Sequence, residues 1–539
     1  MKRIVFILLI LPIITLSQSK DYKNFDKAVK YNIEGKIDKS IKYANKALKN
    51  NPEWSQPNLL LSSIYAKNQK IQLAAEYLLK VYDENNPNDK KGLEEVVKLF
   101  YSNGFYNEAL FYAEKIFSYD TNRYNTNSLI GRYIKNCKFA IIAKSEPVEF
   151  NIQNLGSKIN TKNEEYLPAI SIDGNTLVFS RRIKKDNYLQ EDFFTSDLDE
   201  NNAWTVSKPF GNNINTAGNE GAFSFSANKN IAVFTACDRI DRIGSCDLYL
   251  LTNSRITNAG KIVNSEKWDS QGCFSPDGKY LYFVSNRDGG YGGKDIWRSE
   301  ITNKGFKYPE NLGPSINTKY DEMSPFLHSD NLTLYFASNG HIGMGDFDIY
   351  ISRRINSITE WKNPKNLGYP INTNKTENSV VVANDGKTAY YTSDNSGFGL
   401  EDIFVFQLPK SMQATEVSDL EIDIITQKNR GEVILKDVSF DSNSSSLNES
   451  SYKVLDKLIL YLIKNPDIKL EVQGHTDDIG SNYDNLILSE ERAKVVYDYL
   501  TKKIDNTISF RGFGETKPII NKQTVNARKI NRRTSIVIE

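Results

Sequence analysis

A six-residue pattern, G-x-x-[IV]-N-[TS], occurs five times at a near-constant period: Gly156 to Thr161, Gly211 to Thr216, Gly260 to Ser265, Gly313 to Thr318 and Gly368 to Thr373. Each copy leads into an acidic turn and then a short β-run, beginning at Leu177, Ala232, Leu281, Leu334 and Ala389. An Asp-apolar-aromatic triplet follows, beginning at Asp192, Asp247, Asp295, Asp348 and Asp402. One such unit cannot bury its own apolar faces, so regular repetition demands a linear or radial stack of sheets. The spacing of roughly 50 residues suffices for a four-stranded unit, which predicts an all-β propeller over residues 147–409. Five blades are expected. Six is the alternative, if residues 138–155 add an irregular one. The words VEFNIQNLG, KYPENLG and KNPKNLG each precede a copy. The first of these is placed to complete the last blade and close the ring.

Ser275-Pro276-Asp277-Gly278 and Leu281-Tyr282-Phe283 resemble the WD40-like repeat of TolB-type propellers. That resemblance implies a fold, not an activity. The Asp-Gly pairs read as turns, for which the pair is favoured. The glycine-rich loops 288–295, 339–348 and 395–402 could coordinate calcium through Asp and carbonyl oxygens, or serve as hairpin loops whose glycines allow positive φ. No G-x-S-x-G elbow marks a hydrolase.

Residues 20–137 show helical rather than alternating periodicity. Ser40, Ala74 and Ala109 recur at a near-constant spacing, each shortly after a polar turn holding Gly35, Asn68 or Gly104. Small residues suit the points where paired helices touch. Pro52 and Pro87 stop second helices, since proline has no N–H to donate. Together these features resemble the tetratricopeptide repeat (TPR), which implies a helical array with a concave surface for peptides or proteins.

Lys+Arg number 68 against 67 Asp+Glu, a net charge of +1, which makes no electrostatic case for nucleic acid. Three histidines (His328, His341 and His475) and no CxxC pair leave little material for a metal site, and no cofactor is expected. Residues 1–17 combine Lys2 and Arg3 with an apolar run from Ile4 to Leu16 and read as a signal peptide, an uncleaved anchor being the alternative. Export is therefore expected. An exported compartment permits disulfides, and Cys237 and Cys246 flank a hairpin; a bridge and two buried thiols are both open.

After a polar linker (410–431), residues 432–539 read as α+β in the order βαβαβαβ. VILKDVSF (433–440), IKLEVQG (468–474), ISFRGFG (508–514) and TSIVIE (534–539) are the strands. A helix over 450–465 places Val454, Leu455, Leu458, Ile459 and Leu462 on one face, and a second spans about 483–503. Asp477 lies in an acidic loop after a strand, and Arg492 follows inside the second helix. That geometry can bring both to one cleft. A carboxylate and a guanidinium across a pocket suit a ligand with ammonium and carboxylate on one carbon. A structural ion pair between the two is the alternative.

The words FDSNSSSL (440–447), GHTD (474–477), NxxLSxxRA (485–493), GFGExxP (512–518) and NRRT (531–534) resemble the OmpA C-terminal peptidoglycan-binding domain. The resemblance implies that Asp477 takes the ammonium and Arg492 the carboxylate of diaminopimelate in the stem peptide. Asn485 and backbone groups near Thr476 would hold the remaining oxygens, while His475 packs the loop. Ala527 stands where that family usually has glycine, so a local turn adjustment is expected. The order of TPR-like helices, propeller and OmpA-like domain resembles envelope proteins of the Bacteroidetes. It implies a non-catalytic scaffold in the periplasm, associated with peptidoglycan and the outer membrane, whose partners are peptidoglycan and envelope or secretion-system proteins; the alternatives are a wall-targeted propeller enzyme acting on glycan or peptide, and a general outer-membrane integrity factor.

Overall fold

The computed structural model describes residues 20–119, 128–185, 188–211, 213–356, 360–394, 397–417, 421, 424, 432–436, 438–440 and 445–538. The expected signal peptide lies outside these residues. Among them, no helix is long and apolar enough to cross a membrane. The chain forms two compact units, one holding the helices together with residues 342–346 and 373–375, the other holding the sheets and the C-terminal domain.

The helices pair as Lys20–Ile33 with Ile37–Ala47, Ser55–Lys67 with Ile71–Leu79, and Lys90–Ser102 with Tyr106–Tyr119, followed by Leu129–Ser145. Ser40, Ala74 and Ala109 are fully buried where the pairs touch, and Ser40 Oγ donates to Ala28 O at 2.8 Å. Each first helix ends in the same way. The N–H of Lys36, Lys70 and Phe105 reaches back to the carbonyl of Tyr31, Tyr65 and Phe100 at 2.8, 2.9 and 3.0 Å. This closure requires a left-handed residue just past the helix end. Gly35 and Gly104 supply it with φ of 71° and 76°. In the middle hairpin the left-handed residue is Gln69 (φ 59°), one position beyond the Asn68 expected from sequence. A Cβ there costs about 1 kcal/mol. Gln69→Gly should therefore raise stability by about that much, which a urea titration of the full chain measures.

Three carbonyls of the 339–348 loop are engaged inside this unit. Tyr101 Oη lies 3.4 Å from both Gly343 O and Gly345 O, and Tyr106 Oη donates to Met344 O at 3.0 Å. Loop 288–295 holds Asp295, whose carboxylate accepts from Asn311 Nδ2 at 2.8 Å. Among the described residues no cluster of His, Cys, Asp or Glu could hold a metal ion.

Ahead of the C-terminal domain, the described residues of the second unit form five antiparallel sheets. Four take their strands in chain order, starting at Glu164, Glu220, Asp269 and Glu322. The fifth (Val380–Val382, Thr388–Ser393 and Asp402–Gln407) is completed by Gln153–Asn154, from ahead of the first sheet. First strands contact one another in cyclic order, the fifth returning to the first. Residues 138–145 belong to the helix Leu129–Ser145 and add no sheet.

The repeated hexapeptide is the joint between consecutive sheets. Asn160, Asn215, Asn264, Asn317 and Asn372 each clamp one backbone residue of a third strand, accepting from its N–H and donating to its C=O at 2.8–3.0 Å. The Thr or Ser that follows gives its N–H and hydroxyl to a buried carboxylate four residues on: Glu165, Glu220, Asp269 and Glu322. Arg181 and Arg287 pair with Glu165 and Asp269 at 2.6 Å. In the fourth repeat Ser338 Oγ takes the arginine's place on Glu322. Burial pushes the Glu322 carboxyl up to about 7. These acids hold sheets together.

The first strands enclose a cavity of about 110 Å³, lined by such residues as Ile172, Phe223, Cys273, Phe326 and Val381, and none of its lining residues is charged. Cys237 and Cys246 face each other across one hairpin and form a disulfide, while Cys137 and Cys273 are buried thiols.

The C-terminal domain is a four-stranded sheet in the order Glu432–Ile434, Thr534–Ile538, Leu470–Gly474, Ile508–Gly512, with helices Glu449–Lys464, Asn482–Thr501 and Val525–Asn531. The first strand is shorter than the expected 433–440, ending at Ile434. Leu435 and Val438 beyond it turn inward to join the core with Leu455, Leu458, Val472, Val496 and Ile536. The helices start at side-chain caps: Asn448, Ser481 and Thr524 accept from Ser451, Asp484 and Ala527 N–H. Ala527 thus sits in a first helical turn, where alanine is at ease.

The expected linker 410–431 is no solvated tether where it is described. Ala414, Val417 and Ile424 are buried, the last two in the C-terminal core. Thr415 N–H donates to Asp330, and Val417 N–H to Asn384 O.

A candidate charged cleft in the C-terminal domain

Strands Leu470–Gly474 and Ile508–Gly512 run parallel, in register from Leu470–Ile508 to Gly474–Gly512. Both end in glycine because the helix Asn482–Thr501 presses on them. A Cβ on Gly474 would lie 2.0 Å from Ser489 O, and one on Gly512 2.4 Å from Glu490 N. The loop carrying His475, Thr476 and Asp477 therefore leaves its strand directly against the helix. Asn485, Ser489 and Arg492, at i, i+4 and i+7, face inward together and are all buried.

Asp477 is only 7% exposed. Its Oδ1 accepts from Ile479 N–H at 3.1 Å, and its Oδ2 is held by Arg532 Nη1. Arg492 packs over the Phe440 ring, with Cζ 5.1 Å from the centroid. Burial pulls the Arg492 guanidinium below its ordinary range, the neighbouring Arg532 charge adds to this, and Asp477 opposes it. The three charges thus share one cleft. Asp477 and Arg492 come together as the sequence suggests, but the direct ion-pair partner of Asp477 is Arg532. Sequence reasoning places that arginine only within the NRRT word. Its neighbour Asn531 is structural, bonding Ile519 N–H, Ile520 N–H and Ile520 O at 2.9–3.0 Å.

The remaining sequence-selected residues build the cleft. Asn485 Nδ2 donates to Asp477 O at 3.2 Å and Glu515 Oε2 at 2.7 Å, bracing the acidic loop. Thr476 N–H donates to Gly514 O at 3.0 Å, and its buried hydroxyl has no hydrogen-bond partner among the described residues. His475 stacks on Phe513 at 5.4 Å, with Nε2 3.4 Å from Ser535 Oγ and 3.5 Å from Glu432. Arg528 closes the outer rim by pairing with Asp478 at 2.6 Å.

Burial, reinforced by Arg533, pushes the His475 imidazole down to about 4. The unfolded chain then holds this proton more tightly than the folded one. His475 is neutral in the fold at pH 7, and stability falls as pH drops from about 6.5 towards 4, by up to about 3 kcal/mol. His475→Asn should flatten that part of the pH profile, as read from hydrogen exchange over residues 470–476 at pH 7 and pH 5.

The charged side chains of the cleft lie at the carboxyl end of a parallel strand pair in an α+β domain. Residues 439–532 match the OmpA family, so the C-terminal domain is OmpA-like. Outer membrane porin F of Pseudomonas aeruginosa is 34% identical over 106 residues, 19% of this chain and 30% of that protein. Peptidoglycan-binding protein ArfA of Mycobacterium bovis is 34% identical over 103 residues, 19% of this chain and 32% of that protein. The peptidoglycan-associated lipoprotein of Buchnera aphidicola is 28% identical over 134 residues, 24% of this chain and 78% of that protein. The chain spans about a third of the length of the first two relatives.

Proposed function

We propose that this protein is a non-catalytic anchor of the cell envelope. Its C-terminal domain grips peptidoglycan through the free amino-acid end of diaminopimelate, with Asp477 seating the ammonium and Arg492 the carboxylate. The observation that carries this reading is the convergence of Asp477, Arg492 and Arg532 in one cleft of an OmpA-like domain. Relatives of this domain are themselves named peptidoglycan-binding or peptidoglycan-associated.

The cyclic five-sheet body is read as a β-propeller and the helical hairpins as TPR-like. Both serve as surfaces for envelope proteins in the periplasm, after export on a cleaved leader at residues 1–17. Tethering of a type IX secretion complex, as in the Bacteroidetes subunit PorE that this domain order resembles, is the specific role proposed.

A wall-targeted propeller enzyme would need two carboxylates about 5–10 Å apart in an open pocket. The lining residues of the central cavity include no carboxylate. The buried acids of the repeats are bound to Thr, Ser and Arg.

The test is sedimentation of purified full-length protein with insoluble peptidoglycan. Pelleting with the wall is expected. Protein that stays in the supernatant at physiological salt counts against the anchor.

A further inference from the structure

Arg532 stands where the ligand's ammonium is expected to sit. Its guanidinium holds one Asp477 oxygen, the other being engaged by Ile479 N–H. The neighbouring ion pairs are separately made: Arg528 with Asp478 and Arg533 with Glu432. Arg532 follows directly on the seven-residue helix Val525–Asn531, and its side chain is 47% exposed while that of Asp477 is 9% exposed. The arginine can swing into solvent, and the carboxylate cannot follow it. An ammonium that binds Asp477 therefore takes away the counter-ion of Arg532.

We infer that Arg532 is a specificity residue that favours ligands carrying a second free carboxylate, in addition to the one on the ammonium-bearing carbon. Such a ligand gives the displaced guanidinium a new partner, in the bidentate geometry that arginine prefers. A ligand with that second carboxylate capped as an amide displaces Arg532 and returns nothing. In a wall stem peptide the group concerned is the free α-carboxylate of the acidic residue next to diaminopimelate. The inference rests on the peptidoglycan reading above and extends it to one chemical form of the stem.

The test uses the full-length chain and two fluorescent stem tripeptides ending in diaminopimelate, its chain-terminal carboxyl amidated in both, alike except that the neighbouring glutamate carries a free α-carboxyl or its amide. Wild-type protein should bind the free acid about tenfold tighter, the worth of one charge-assisted contact. Arg532→Gln should lose that preference by weakening free-acid binding while leaving the amide unchanged or slightly tighter, because the internal competitor is gone. Arg532→Lys, which keeps the charge without the fork, should retain part of the preference. Equal binding of both peptides by wild type, or a preference that survives in Arg532→Gln, overturns the inference. In either case loss of all binding in Asp477→Ala would leave the peptidoglycan site standing. If wild type binds neither peptide, the peptidoglycan reading fails and this inference falls with it.

Discussion

Asp477→Ala and Arg492→Ala should each leave the protein in the supernatant when it is spun with insoluble peptidoglycan, under conditions where wild type pellets. The size of the effect follows from the geometry. Both residues are buried. A ligand charge brought to either one is largely stripped of water, so removing one partner strands the other charge. That costs about 2–5 kcal/mol, or roughly 30- to 5,000-fold in affinity. The two variants should differ in the fold itself. Asp477→Ala releases Arg532 and removes the acceptor for Ile479 N–H, so it loosens the loop. Arg492→Ala leaves a gap against Phe440. Hydrogen exchange across residues 470–500 distinguishes lost binding from lost structure. Unchanged pelleting of both variants, with the fold intact, would remove these residues from the site.

Gly474→Ala should open the C-terminal domain without touching a charged group. The new methyl would lie 2.0 Å from Ser489 O, a backbone atom inside a 20-residue helix. No rotamer change relieves that contact, so the helix must lift from the strand or the strand must leave its register. A backbone clash of this kind costs about 3 kcal/mol or more. Amides of Leu470–Gly474 should exchange about 100-fold faster in the full chain. Peptides of the five sheets should keep their protection. Gly512→Ala, meeting Glu490 N at 2.4 Å, should behave in the same way. Wild-type exchange rates in both variants would show that the helix yields more easily than the packing implies.

Much of this architecture is legible in the chain because its signals are local. The hexapeptide carries both halves of a joint: Asn317 clamps Ile296, while Thr318 reaches Glu322 four residues on. Spacing alone exposes such a device. The glycines of GHTD and GFG are legible for a similar reason, since each marks a close approach of backbone to backbone. What stays hidden depends on distance along the chain. Arg532 is 55 residues from Asp477, and nothing at either position announces the other. The burial of Val417 is hidden by the polar residues on either side of it. Asn68 marks the polar turn in the sequence, yet the left-handed residue is its neighbour Gln69.

The strand Gln153–Asn154 has a mechanical consequence. It enters the sheet body from the amino-terminal side and pairs with Val405 and Phe404, only a few residues before the chain leaves at Gln407. The chain thus enters and leaves the sheet body on the same sheet, with its two crossing segments paired side by side. Downstream, residues 411–417 are also fastened to the fourth and fifth sheets, through Arg353, Asp330 and Asn384. A pull along the chain is therefore met by that strand pair in shear together with the side-chain and backbone bonds that hold residues 411–417.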